Sequence, residues 1–153
     1  LRPLMSGGGQ EMNLRSGTLS PALCVGIGEA CKDISQNREK YTKHFEEIKS
    51  TLLSELNNSN LNYVINGSVE QRIPNNLNIS IKGKVAEQLF NFLPNFALSS
   101  GSACTSGTIE RSHVLSALTN DESRIDGSFR ISTGRDTTKE EIKKLISSLS
   151  KNV

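Results

Sequence analysis

The sequence has no tryptophan, only three cysteines, and no apolar run approaching the roughly 20 residues that a membrane-spanning helix requires. An odd, small number of cysteines argues against the disulfide framework of a secreted domain and points to a reducing compartment. Neither sign of charge dominates. Eighteen Lys and Arg against sixteen Asp and Glu leave +2, and no clustered basic stripe of the kind that binds nucleic acid is visible. The start, Leu1-Arg2-Pro3-Leu4, carries neither a signal-peptide pattern nor an initiator methionine, so a fragment of a soluble protein is expected. What is present suits a globular domain. The 153 residues are enough for a real core, with 35% hydrophobic and 22% charged side chains and a mean hydropathy of -0.38.

Residues 1–18 read as irregular, with Pro3, Gly7-Gly8-Gly9 and Ser16-Gly17-Thr18. Ser20 as N-cap and Pro21 at the first helical position then start a helix. Residues 22–34 are small and apolar, as if buried in a larger body. From about Asn37 the pattern becomes a charged amphipathic helix, with Tyr41, Phe45, Ile48, Leu52 and Leu56 on one stripe. The second half mixes element types. Strands are expected at 62–65, at 77–81 where Leu77, Ile79 and Ile81 alternate with polar residues, at 96–98, and at 128–132. Helices are expected at 85–93, at 112–118, and after Thr137 or Thr138, each of which fits a capping box. The core face of the last helix is Ile142, Leu145, Ile146 and Leu149. There is no internal repeat. The order predicts an α+β domain with a helical lead-in.

The most unusual stretch is Ser99 to Thr108, which contains no side chain larger than threonine. It can bury little, so the composition predicts a mobile segment in which the Cys104 thiol is reachable. A thiol with a pKa near ~8.5 is a strong nucleophile even at a few per cent thiolate. The same composition also describes a plain loop that happens to contain a cysteine. Cys24 and Cys31, seven apart on one helix face, read as packing residues. Together with His44 and His113 they lack the spacing of zinc ligands. Gly7-Gly8-Gly9 and Ser16-Gly17-Thr18 precede a helix start, where free N–H groups suit a phosphate, although such glycine-rich turns are common. Arg130 and Arg135 flank Thr133-Gly134. Either could clamp a carboxylate or simply be a surface cation.

Four blocks together carry a resemblance: Gly7-Gly8-Gly9-Gln10-Glu11, Leu14-Arg15-Ser16-Gly17-Thr18, Ser99-Ser100-Gly101-Ser102-Ala103-Cys104-Thr105-Ser106, and Phe129-Arg130-Ile131-Ser132-Thr133-Gly134-Arg135. In this order they resemble the class V pyridoxal-phosphate enzymes, specifically cysteine desulfurases of the IscS/NifS type. The resemblance covers nearly the whole chain but only a C-terminal portion of the family's usual length. It implies the small α+β domain of a fold type I pyridoxal-phosphate-dependent transferase over 36–153, with 1–35 a C-terminal remnant of the large, cofactor-binding domain.

By position, the resemblance makes Cys104 the catalytic cysteine, which takes sulfur from L-cysteine, leaving alanine and a persulfide. Thr18 matches the threonine that reaches the cofactor phosphate of a partner subunit, and Arg130 the arginine that binds the substrate carboxylate. The persulfide would pass to a scaffold or other sulfur-acceptor protein for iron–sulfur cluster assembly, where Cys104 would also contact a nascent 2Fe-2S cluster as its one metal contact. A homodimer, or a partner chain carrying the lysine half, is implied, in the cytoplasm or alternatively the mitochondrial matrix, with no nucleic acid or membrane.

The family holds pyridoxal phosphate as a Schiff base on a lysine in a Ser-x-His-Lys context, and neither His44 nor His113 is followed by lysine. The Schiff-base lysine is therefore not in this chain. Ser6, Arg111 and His113 stand where histidine, proline and tyrosine are common in the family. A non-catalytic remnant or split-enzyme half that carries sulfur made elsewhere is the alternative expectation. A relative acting on selenocysteine or cystine is a third.

Overall fold

A computed structural model describes residues 1–100 and 111–153. The protein divides into two compact units, Leu1–Glu39 and Lys40–Val153. In the first, an irregular segment leads into α1 (Pro21–Asn57), which begins where Ser20 and Pro21 predict. The Ser20 Oγ accepts from the Leu23 amide at 3.5 Å, and proline at the first position has no N–H to leave unsatisfied. The change of pattern near Asn37 does not interrupt the helix. No glycine or proline falls between Gly28 and Asn57, and the Asn37 side chain donates to the Asp33 carbonyl at 3.1 Å. The apolar stretch 22–34 differs from expectation. Leu23 is 76% and Ile27 68% exposed, and Cys24 and Cys31, read as packing residues, are exposed as well. No described residue covers that part of α1.

The second unit takes the end of α1 and adds β1 (Tyr63–Ile65), β2 (Asn76–Ile81), α2 (Ala86–Phe90), α3 (His113–Leu118), α4 (Glu122–Asp126), β3 (Ser128–Ser132) and α5 (Lys139–Asn152). The strands form one antiparallel sheet in the order β1-β2-β3, with Ile79 opposite both Ile65 and Phe129, and Leu77 opposite Ile131. Because alternate side chains point to opposite faces, one face is apolar. Leu77, Ile79, Ile81, Phe129 and Ile131 join Ile48, Leu52 and Leu56 of α1 and Ile142, Leu145, Ile146 and Leu149 of α5 in a single buried core. The mixed α+β architecture expected from the sequence is the one observed.

The opposite face carries a buried polar network. Asn66 Nδ2 donates to Asn78 Oδ1 (2.6 Å) and Ser80 Oγ (2.7 Å), and Ser128 Oγ donates to the same Asn78 oxygen (2.8 Å). Arg124 Nε donates to Asn66 Oδ1 at 2.8 Å and so ties α4 to β1 and β2. Satisfied in this way, the buried amide carries no desolvation penalty of the unpaired kind.

Three local features depart from the sequence reading or sharpen it. Residues 96–98 form no strand; a turn after Leu93 consumes the segment, and only Ser99 bridges β3. α4, capped by Asp121, was not foreseen because five residues are too few to show a period. Of the two candidate caps for α5, Thr138 is the one used, and its backbone and hydroxyl bonds to Glu141 hold that carboxylate below the ordinary range.

Gly127, at the entry to β3, accepts at its carbonyl from the Ile81 amide, and a Cβ there would lie 2.4 Å from the Ile81 carbonyl oxygen. Backbone cannot yield as a side chain tip does. Gly127→Ala is therefore expected to cost about 1–3 kcal/mol, read as a lower denaturant midpoint with unchanged slope. An unchanged midpoint would show that β3 can shift away from β2.

Candidate active site

The first unit builds its site from a loop closed on itself. Met5 and Arg15 form a parallel bridge, with the Leu4 amide donating to the Leu14 carbonyl (3.0 Å) and the Ser16 amide to the Met5 carbonyl (3.1 Å). Between them the chain reverses through three consecutive left-handed residues, Glu11 (φ 52°), Met12 (φ 54°) and Asn13 (φ 63°). Each costs on the order of 1–2 kcal/mol relative to the right-handed region, so the surroundings must hold them. Two side chains do so. Ser16 Oγ accepts from the Gly9 amide at 3.3 Å, and Gln10 Oε1 accepts from the Gly17 amide at 3.0 Å.

Thr18 follows directly, exposed and without a hydrogen bond among the described residues. Arg15 Nη1 donates to the Ser16 carbonyl at 3.2 Å. A Cβ on Gly17 would sit 2.6 Å from that same nitrogen, which would have to move aside, and the φ of 127° at residue 17 favours glycine in any case. A free hydroxyl and a guanidinium beside a glycine cradle, just ahead of a long helix, suit a phosphate dianion. The residues thus fit the phosphate end of pyridoxal phosphate.

In the second unit, Arg130 lies between two inward residues of β3, Phe129 and Ile131, and so projects from the polar face, exposed. Its amide donates to the Ser99 carbonyl at 2.7 Å, an antiparallel bridge. The chain therefore enters 101–110 from a point fixed beside Arg130. Among the described residues its guanidinium has no hydrogen bond or ion pair. Arg135, the other candidate, sits 3.8 Å from Asp136. The Cys104 reading, including its metal contact, falls outside the described residues.

Where the chain re-enters, Arg111 is held by a bidentate pair to Asp126 (2.9 and 3.0 Å) and by Glu122 (2.9 Å). The hydrogen bonds it donates to Asp126 and then to Glu122 raise the Arg111 pKa further above its ordinary value. The sequence reading noticed Arg111 only as a departure from the family; nothing in the spacing announced its partners. Ser112 caps α3, which carries His113 exposed. Among the described residues no group of three or more His, Cys, Asp or Glu is placed to hold a metal.

A groove of about 540 Å³ lies between residues 95–98, the end of β3 and α5, with Phe96, Ile131, Thr133, Lys144 and Leu145 in its walls. Ile131 marks it as belonging to the core face, opposite the one from which Arg130 projects.

The family described as aminotransferase class-V matches residues 5–145. Cysteine desulfurase IscS of Ehrlichia chaffeensis is 41% identical over 142 residues, covering 93% of this chain and 35% of that protein. The mitochondrial cysteine desulfurase of Saccharomyces cerevisiae is 39% identical over 153 residues, covering 100% and 31%. Among solved structures, a NifS-like protein has a TM-score of 0.84 at 30% identity, covering 99% of this chain and 39% of that one. A NifS-like protein from Rickettsia africae gives 0.85 at 27%, covering 98% and 39%. The fold is thus that of part of the NifS-like proteins, and the chain spans about a third of the curated relatives it matches.

The Arg111 cluster is solvent-exposed, so its contribution should be small and screened. Arg111→Ala is expected to lower the melting temperature slightly at low salt and not at all in roughly 1 M salt. A salt-independent loss in thermal melts would show that the alkyl chain, rather than the charge, is what matters.

Proposed function

The chain belongs to the aminotransferase class-V family, and from that premise we propose that it is the C-terminal part of a cysteine desulfurase. In this reading the protein removes sulfur from L-cysteine, releases alanine and leaves a persulfide on Cys104. The sulfur then goes to an acceptor such as an iron–sulfur scaffold, where Cys104 also touches the nascent cluster. The observation that carries the reading is Arg130: a guanidinium without a partner among the described residues, whose backbone is bonded to the Ser99 root of the Cys104 stretch. A cation there can hold a substrate carboxylate bidentately beside Ser99, five residues before the thiol in the sequence.

Residues 1–35 are read as the tail of the large domain and 36–153 as the small one. The exposed Leu23, Val25, Ile27 and Ile34 support this, since apolar side chains on a helix call for a cover. The remainder of the large domain, in the same or a partner chain, would supply both that cover and the missing lysine. A homodimer would place Thr18 at the phosphate of the neighbouring subunit. The relatives include both bacterial and mitochondrial proteins, which is compatible with a cytoplasmic or a matrix location.

Bound pyridoxal phosphate supplies an electron sink that loosens the carbon–sulfur bond of the substrate. Thr18, with Arg15 beside it, would hold the phosphate of the neighbouring subunit's cofactor, and Arg130 would orient the substrate carboxylate. Cys104, as thiolate, attacks the substrate sulfur; the sulfur–carbon bond breaks, and the electron pair and a proton end on the carbon that becomes the alanine methyl group. By itself the 153-residue chain is expected to be inactive.

In the protein complete with its lysine-bearing portion, Cys104→Ser is expected to abolish persulfide and alanine formation while the cofactor's absorbance band remains. The serine hydroxyl stays protonated and its hard oxygen cannot accept the sulfur. Mass spectrometry after cysteine treatment checks this, and a persulfide on Cys24 or Cys31 would overturn it. Arg130→Ala should raise the cysteine requirement roughly tenfold to a hundredfold, the value of one charge-assisted contact. The same loss from Arg135→Ala, with none from Arg130→Ala, would move the carboxylate site.

A further inference from the structure

We propose that Gln10 is a positioning residue for phosphate binding at Thr18, an inference that rests on the cofactor reading above. The peptide unit between Ser16 and Gly17 is gripped at both ends. Its carbonyl accepts from Arg15 Nη1 at 3.2 Å, and its N–H donates to Gln10 Oε1 at 3.0 Å. Only the two dihedrals of Gly17 separate this plane from the one that carries the Thr18 N–H. Gly17 takes φ 127°, a value that L side chains rarely adopt, and a Cβ there would collide with Arg15. Gln10 thus fixes the mount on which the Thr18 hydroxyl and amide are presented.

The second cross-brace makes the assignment specific. The bond from Gly9 N–H to Ser16 Oγ also joins residues seven apart and also closes the loop, and Ser16 is 6% exposed. It ends on a side chain, however, and does not hold the 16–17 peptide unit. Both bonds shape the loop, but only the one from Gln10 bears on Thr18. A neutral amide also suits the task, because it accepts from Gly17 without adding negative charge beside a phosphate.

The test is titration of the full chain with inorganic phosphate, followed by the amide resonances of Gly17 and Thr18. The wild type should give a saturable shift at Thr18. Gln10→Ala should weaken it roughly fivefold or more, with the Leu14 and Ser16 amides keeping their positions. Ser16→Ala should stay within about twofold, the lower end of what one hydrogen bond contributes. Gln10→Glu restores an acceptor and should recover most of the loss once salt screens its charge.

Equal weakening in Gln10→Ala and Ser16→Ala would overturn the positioning role, leaving Gln10 a structural brace only. So would unchanged affinity in Gln10→Ala, or a failure of Gln10→Glu to recover in a loop whose amides are native. These outcomes leave the phosphate reading of Thr18 standing. Absence of any saturable shift at Thr18 in the wild type would remove that reading, and the inference with it.

Discussion

Side-chain alternation along β3 is the constraint on which the second unit depends. Phe129 and Ile131 are 0% and 3% exposed, and Phe129 also meets Phe90 edge-on at 5.9 Å. A slip of one residue would turn both out and bring Arg130 in. Losing the burial of two large apolar side chains costs about 1.5–3 kcal/mol each, and a guanidinium would then lie unpaired in the core. The core therefore decides which way Arg130 faces. The Ser99 bridge builds on that decision, because it pairs with the same residue of the same strand.

The first unit achieves its order differently. It has no apolar core of its own among the described residues, and its loop is held by backbone bridges and two side-chain braces. Local strain from Glu11 to Asn13 is tolerated because bonds on both sides over-determine the path. One unit holds its site by burial, the other by directed hydrogen bonds. These differ in how they respond to solvent, since burial weakens on cooling while the loop's hydrogen bonds do not share that dependence.

Much of the fold was legible where local chemistry and long-range packing agree. Ser20-Pro21 announced α1, the Thr138–Glu141 pair announced α5, and the alternation of Leu77, Ile79 and Ile81 announced β2. Legibility failed where the decision is not local. The apolar faces of Leu23 and Ile27 read as buried, but burial needs a partner surface that no periodicity supplies. Residues 96–98 have strand-like composition, yet the turn from Leu93 to Phe96 leaves them unpaired with β3, which only Ser99 bridges. The left-handed turn has no signal in Glu11 and Met12, which are poor residues for it; only Asn13 hints at it. Of the candidate site, Thr18 and Arg130 were legible by motif. The Gln10 and Arg111 attachments were not, because each partner lies seven or more residues away and on another turn of chain.

Asn66 is followed by Gly67, the dipeptide in which an asparagine most readily ages, since the unhindered glycine amide can attack the side-chain carbonyl and close a five-membered imide. That attack requires the asparagine side chain to swing toward its own backbone. Here it cannot. Its oxygen is held by Arg124 Nε, and its nitrogen by Asn78 and Ser80, with the residue 3% exposed. The network that anchors α4 to the sheet is therefore also a chemical preservative. The lifetime of the turn against deamidation is set by a guanidinium 58 residues further along the chain.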